Sequence, residues 1–351
     1  MYWNDYKYSR TLDNESIRLD QTIEQIIEID IQNIPLRGNI PSTLCNLTSV
    51  QSITFYNNQL TGTIPSTINK LNRLKSIVIT NNEISGPIPS TIDRLTGLTR
   101  VNLAYNRLSG SLPKSIDNLI NLNILDLRYN NIEGKIPRSI YRLINLRMIN
   151  LSCNKLNGPI SEFVNNLRCL RMLDLSANHL SGNIPSSIGD LSNLFFLGLT
   201  SNEFTGTIPS SIGNLTNLNS LALSHNKLTG SIPSSICNLI NIKHMGLSHN
   251  KLTGTIPTSI GNLVNLKQIN FSFNNLTGNI PCSMNQLTNL ERLSLEENKL
   301  CGKIPAFKTH LPRLNETRLR GNNFSIRRRR NPSILDLLKS YGLITKKKKR
   351  E

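Results

Sequence analysis

Histidines, cysteines and a serine are the residues of this chain whose types and spacing could do chemistry. His225 and His249 stand 24 positions apart with His244 just before the second, a start toward a metal site. Ser224 directly precedes His225, a start toward nucleophilic catalysis. Neither completes itself. Two neutral imidazoles are too few ligands, and no cysteine or carboxylate shares their sequence slots nearby. A serine next to a histidine on one strand points to the opposite face, so the pair cannot exchange a proton as a triad does. No Gly-rich phosphate loop, paired-carboxylate cleft or His/Cys ligand set appears elsewhere. No catalytic residue, metal or cofactor is therefore expected, and the chain is expected not to be an enzyme.

The interval of 24 is the more informative signal. Asparagine recurs at Asn58, Asn82, Asn106, Asn130, Asn154, Asn178, Asn202, Asn226, Asn250, Asn274, Asn298 and Asn322, with no insertion or deletion between them. Glycine keeps the same step from Gly38 to Gly302, and proline from Pro41 to Pro305 except where Ser161 replaces it. One unit reads Leu71-x-x-Leu74-x-x-Ile77-x-Ile79-x-x-Asn82-x-Ile84-x-Gly86-x-Ile88-Pro89-x-x-Ile92. About thirteen units fit residues 23–330, from one built on Ile23, Ile26, Ile29 and Ile31 to one built on Leu311, Leu314 and Leu319. In a repeat array each unit buries its apolar face only against its neighbours.

The slots predict the elements that must position any site. Ile77-x-Ile79 alternates with period two and reads as a short strand buried on one face. Asn82 falls where the chain turns inward, and its amide can satisfy backbone groups the turn leaves unpaired, so that stacked asparagines form a ladder. Gly86 permits a tight path, and Pro89 ends the strand and prepares a helical turn. Ile92, Leu95 and Leu98 close the coil from the convex side. The fold class expected is an α/β repeat solenoid, with a parallel sheet on the concave face and short 3-10 or helical turns on the convex face.

At this point a family resemblance becomes specific. The run Asn226-Lys227-Leu228-Thr229-Gly230-Ser231-Ile232-Pro233 resembles the plant-type leucine-rich repeat of receptor-like proteins, receptor-kinase ectodomains and polygalacturonase inhibitors. The resemblance covers about residues 23–326 and implies a second short strand near each Gly-x-Ile-Pro segment and a twisted superhelical array. The cysteine-paired caps, signal peptide, membrane span and kinase domain of such proteins have no counterpart in the sequence.

Register also decides the cysteines. Cys45 and Cys237 share a slot eight repeats apart, while Cys153 and Cys169, and Cys282 and Cys301, lie too far out of register for the ~5.5 Å Cα separation of a disulfide. All six are expected to be free thiols, as in a reducing compartment. The polar stretch from Met1 to Asp20 lacks the apolar core of a signal peptide. The expected location is intracellular, cytoplasmic with nuclear entry as an option, with no membrane span.

Residues 1–22 read as an N-terminal cap or flexible end, and 331–351 as a capping helix with a basic tail. From Lys303 onward there are 15 Lys and Arg against 3 Asp and Glu, so +12 of the net +18 lies in that end. Two runs carry most of it: Arg327, Arg328, Arg329 and Arg330, then Lys346, Lys347, Lys348, Lys349 and Arg350. Such runs serve as a solvated tail, a sequence for a nuclear import receptor, or a patch for an anionic surface. Without interleaved aromatics to stack bases they do not suggest sequence-reading nucleic-acid binding.

The residues six, four, two and one before each asparagine are free of core duty and face the concave surface. Tyr56, Arg100, Tyr105, Asp126, Arg128 and Tyr129 form the strongest candidate patch, because Tyr and Arg dominate interface hot spots. Asp174 and Phe196 extend it, with Ile124, Met148 and Met172 in the same rows. The reading is a non-enzymatic scaffold that binds a protein or peptide through its concave face. Two alternatives stand: a secreted recognition, receptor-like or inhibitor protein whose start is missing, and a nuclear or anionic-partner protein acting through the tail.

Overall fold

The computed structural model describes residues 16–19 and 26–325. Thirteen parallel strands form one sheet, from Ile26–Gln32, Ser52–Tyr56 and Ser76–Thr80 through Ile124–Asp126 to Glu316–Arg318. Every pairing is offset by 24 residues, as in Ile53 with Ile77 and Leu125 with Ile149, so equivalent slots lie side by side. Ser16–Leu19 pairs antiparallel with Ile26–Gln32 at the first edge. The rest of the 1–22 segment, the helix expected over 331–345 and the basic runs at 327–330 and 346–350 lie outside the described residues.

Each coil follows from its slots. Ile77 and Ile79 point inward from one strand and are at most 2 % exposed, as are Ile84, Ile92, Leu95 and Leu98. Pro65 and Pro89, at φ −59° and −63°, lead into the 3-10 turns Ser66–Lys70 and Ser90–Arg94. Gly86 adopts φ +72°, and a Cβ there would lie 2.9 Å from the Thr63 methyl, so both conformation and space call for glycine. Short parallel sheets run beside the Gly-x-Ile-Pro segments, as between Glu133–Lys135 and Lys155–Gly158. Where Ser161 stands in place of proline, its freed N–H donates to the Tyr141 hydroxyl at 3.4 Å, and its own hydroxyl caps Phe163. Burial pushes that tyrosine up to about 12.

The repeated asparagines are bonded to backbone rather than to one another. Asn178 donates to the carbonyls of Leu151 (3.0 Å), Leu175 (3.1 Å) and Ser176 (3.2 Å), and accepts from the Leu156 N–H at 2.9 Å. Asn82, Asn106, Asn130, Asn154, Asn202, Asn226, Asn250, Asn274, Asn298 and Asn322 repeat the accepting bond, each from the residue 22 before it. Asn58 is the exception: its Oδ1 is buried without a partner, because the Leu36 N–H turns to Ile34 instead. A second ladder runs down another side of the coil. Asn121, Asn145, Asn193, Asn217, Asn241, Asn265 and Asn289 each donate to a carbonyl 25 residues earlier.

Candidate functional site

Strand register converts sequence slots into rows across the concave face. The row six before the asparagine runs Arg100, Ile124, Met148, Met172, Phe196, Ser220, each opposite the next. The row four before it runs Asn102, Asp126, Asn150, Asp174, Gly198, Ala222. The residue one before the asparagine is held at positive φ in every coil, 55° at Tyr105 and 54° at Tyr129. This left-handed turn costs an L-residue about 1–2 kcal/mol. It is held by the next coil, where Tyr105 N–H donates to the Arg128 carbonyl and Tyr129 N–H to the Ser152 carbonyl, each at 2.9 Å. It places bulky side chains in a stack along the rim.

Four predicted residues converge there. The Tyr105 and Tyr129 rings stack with centroids 4.6 Å apart and planes 11° off parallel. The Arg128 guanidinium carbon lies 5.4 Å from the Tyr105 ring centroid, a cation–π distance. Asp126 orients that arginine: its carboxylate accepts from the Arg128 backbone N–H at 3.2 Å and stands 3.5 Å from Nε. Asp126 is itself buried, 3 % exposed, so it supports Arg128 and does not offer the open acidic contact its slot suggested. Burial holds its carboxyl above the ordinary range despite the neighbouring guanidinium. The Tyr129 phenol is likewise raised, first by its hydrogen bond with the Cys153 thiol.

Asp174 and Phe196 come together two and three strands farther on. A Cβ on Gly198 would lie 2.5 Å from Asp174 Oδ1 and 2.8 Å from the Phe196 ring, so both lean over that glycine. Asp174 accepts from the Ser176 N–H at 3.0 Å, and burial again raises its carboxyl. Tyr56, 41 % exposed, stands three strands before Arg128 and is not part of the cluster. Arg100 lies at the head of the apolar row. Sequence reasoning passed over Arg147 and Arg171, seven before the asparagine and both exposed, which flank Met148 and Met172. Their signal was the same 24-residue step.

The remaining candidates resolve into packing. His225 stacks on His249 at 4.1 Å, and His249 on Phe273 at 4.2 Å. Among the described residues no three His, Cys, Asp or Glu side chains gather as metal ligands. Ser224 is bonded to Ser248, hydroxyl to hydroxyl at 3.0 Å. At the last coils Glu296 pairs with Arg320 at 3.0 Å, and Glu316 with Arg318 at 2.6 Å, so those charges largely cancel. Cys45 and Cys237 are buried, Cys169 and Cys282 exposed, and all six thiols are free.

A parallel-sheet solenoid whose framework residues recur every 24 positions and bond backbone, with outward rows that vary, is a repeat protein. Two models described as leucine-rich repeat match, one over residues 96–156 and 197–252, the other over 49–71, 169–191 and 265–287. The chain belongs to the leucine-rich-repeat family.

Solved relatives agree. The Arabidopsis receptor kinase HAESA, in complex with the peptide hormone IDA and the co-receptor SERK1, is 30 % identical over 86 % of this chain and 58 % of its own, with a TM-score of 0.75. A plant ice-binding protein is 30 % identical over 68 % of this chain and 77 % of its own, TM-score 0.60. A leucine-rich-repeat protein of Leptospira interrogans is 27 % identical over 86 % and 80 %, TM-score 0.65. The chain spans little more than half the length of HAESA and of the hormone receptor RGFR1, 58 % and 56 %. No curated protein matches the sequence. Among the described residues no helix is long and apolar enough to cross a membrane.

Proposed function

We propose that this chain is a non-enzymatic recognition scaffold that holds a protein or peptide segment on its concave face. The observation that carries the reading is the Tyr105–Arg128–Tyr129 cluster. It joins two stacked aromatic rings to a guanidinium oriented from beneath by a buried carboxylate. Orienting groups in advance lowers the entropy lost on binding, and Tyr and Arg are the residue types that anchor interfaces. The likeness to receptor ectodomains solved with peptide hormones supports the same class of ligand.

Site-specific photocrosslinking in extract of the source cell tests this. A crosslinker replacing Met148 on the concave face is compared with one replacing Ile240, an exposed convex residue. A protein adduct from position 148 alone, lost on Tyr105→Ala/Arg128→Ala/Tyr129→Ala, is the expected result. Adducts from position 240 alone, or adducts indifferent to the triple substitution, would overturn it.

A further inference from the structure

Beside the tyrosine cluster lies a second feature of the same face. Ile124, Met148, Met172 and Phe196 occupy one row on four successive strands, each directly opposite the next and each half-buried. At a strand spacing of about 4.8 Å the row is roughly 14 Å long. Arginines frame it. Arg147 and Arg171 are the residues immediately before Met148 and Met172, both exposed, and among the described residues neither is ion-paired. Arg128 lies across the strands on the other flank, behind the row of Asp126, Asn150 and Asp174. Of the two carboxylates in that row, Asp126 is buried beneath Arg128 and Asp174 accepts from the Ser176 N–H. Arg147 and Arg171 thus put two exposed positive charges directly beside the apolar row, against one half-buried carboxylate, Asp174, on its other side.

The spacing selects the shape of what fits. In an α-helix, residues three and four apart advance about 4.5–6 Å along the axis and share one face, close to one strand spacing. In an extended chain, residues two apart advance about 6.6 Å and fall out of step with the row after two positions. A helix roughly 10–12 Å across also reaches both arginine flanks at once. We infer that this row receives an acidic amphipathic helix of about three turns, its apolar stripe on Ile124, Met148, Met172 and Phe196 and its carboxylates on Arg147, Arg171 and Arg128. The inference rests on the concave-face reading above and names the chemistry of its ligand.

Three 18-residue capped peptides, labelled for fluorescence anisotropy against the full chain, test it. One carries Leu at i, i+4, i+7 and i+11 with Glu on both flanks. A second replaces every Glu with Lys, and a third has the first composition with its Leu residues moved to every second position, alternating with Glu. The first should bind at least tenfold more tightly than either other peptide. Arg147→Glu/Arg171→Glu should weaken it at least tenfold and strengthen binding of the Lys peptide, a reciprocal change that a misfolded variant cannot give. Absence of binding by the first peptide overturns the proposal, as does equal or tighter binding by the alternating one, or indifference to the double substitution. Crosslinking at position 148 is independent of these peptides, so it would still stand if the helix were wrong.

Discussion

Replacing Asn178 with alanine removes four hydrogen bonds, but the structure shows that they do not count equally. The three carbonyls to which Asn178 donates each keep another donor. Asn154 also bonds Leu151 at 3.1 Å, Asn202 bonds Leu175 at 3.0 Å, and the Cys153 N–H bonds Ser176 at 2.9 Å. The Leu156 N–H is different, because its bond is to Asn178 Oδ1 and Leu156 is fully buried. Leaving one buried N–H unpaired costs about 1–3 kcal/mol, and three carbonyls reduced from two donors to one add a few tenths each. The expected loss is thus about 2–4 kcal/mol, most of it from that one N–H. Asn193→Ala, on the other side of the coil, is the control: it removes one exposed bond, to the Arg168 carbonyl at 2.9 Å, and should cost under about 1 kcal/mol. Urea unfolding of both variants gives the difference, and hydrogen exchange gives its location. The Leu156 amide should exchange faster in Asn178→Ala, while the Leu228 amide, held by Asn250, should not change. Equal midpoints for the two variants, or an unaltered Leu156 amide, would refute the assignment of the load to that single N–H.

Two other consequences are open to measurement. Gly213→Ala would drive a Cβ into the Ser235 carbonyl of the next coil, a backbone atom that cannot step aside, so a loss of about 1–3 kcal/mol in urea unfolding is expected and an unchanged midpoint would contradict the packing described. Asp174 is raised chiefly by burial, so its contribution to stability is fullest when it is protonated and is lost as pH rises through its folded value; Asp174→Asn should therefore melt higher than the parent at neutral pH, with the gap closing in acid, and a variant that melts lower at neutral pH would refute the sign.

The frame of this molecule was legible because each framework slot asks for one physical property. Burial selects Ile77 and Ile79, positive φ and close contact select Gly86, and an inward turn with unpaired backbone selects Asn82. The second asparagine ladder, from Asn121 to Asn289, obeys the same 24-residue step and was readable from it. It was obscured by Arg73 and Gly97, which fill the slot in the early coils, and by Cys169 in the middle. The outward rows were legible only in part. Period two tells which residues face outward, yet it could not show that Asp126 is buried beneath Arg128, because that depends on how one side chain folds over another. Nor could it foresee Tyr105, Tyr129, His225 and Phe273 in a left-handed conformation. Asparagine tolerates that region and occupies it at Asn33, Asn57 and Asn81, but in later coils the same hydrogen bonds to the next coil hold the backbone and any side chain is carried along.

This division explains how one frame can display unlike chemistry from end to end. Along a strand such as Met148–Asn150 the buried Ile149 serves the core and Asn150 holds the Ser152 N–H, while Met148 stands half-buried on the concave face. Across strands, the row six before the asparagine passes from Ser52 and Ser76 through the apolar residues to Ser220, His244 and Gln268, and ends in Arg292 and Glu316, with the register unbroken. Stability is carried by nearest-neighbour contacts between framework slots, so substitutions in an outward slot are felt mainly by whatever lies against it. The concentration of rings, sulphur-containing side chains and guanidinium groups between Arg100 and Phe196 is therefore not needed to hold the solenoid together. Half-buried Met148, Met172 and Phe196 leave apolar surface in water on a face that small residues cover adequately elsewhere, as Ser220, Ala222 and Ser224 do a few strands on. A surface kept apolar where the fold gains nothing from it is the feature that the proposed helix would cover.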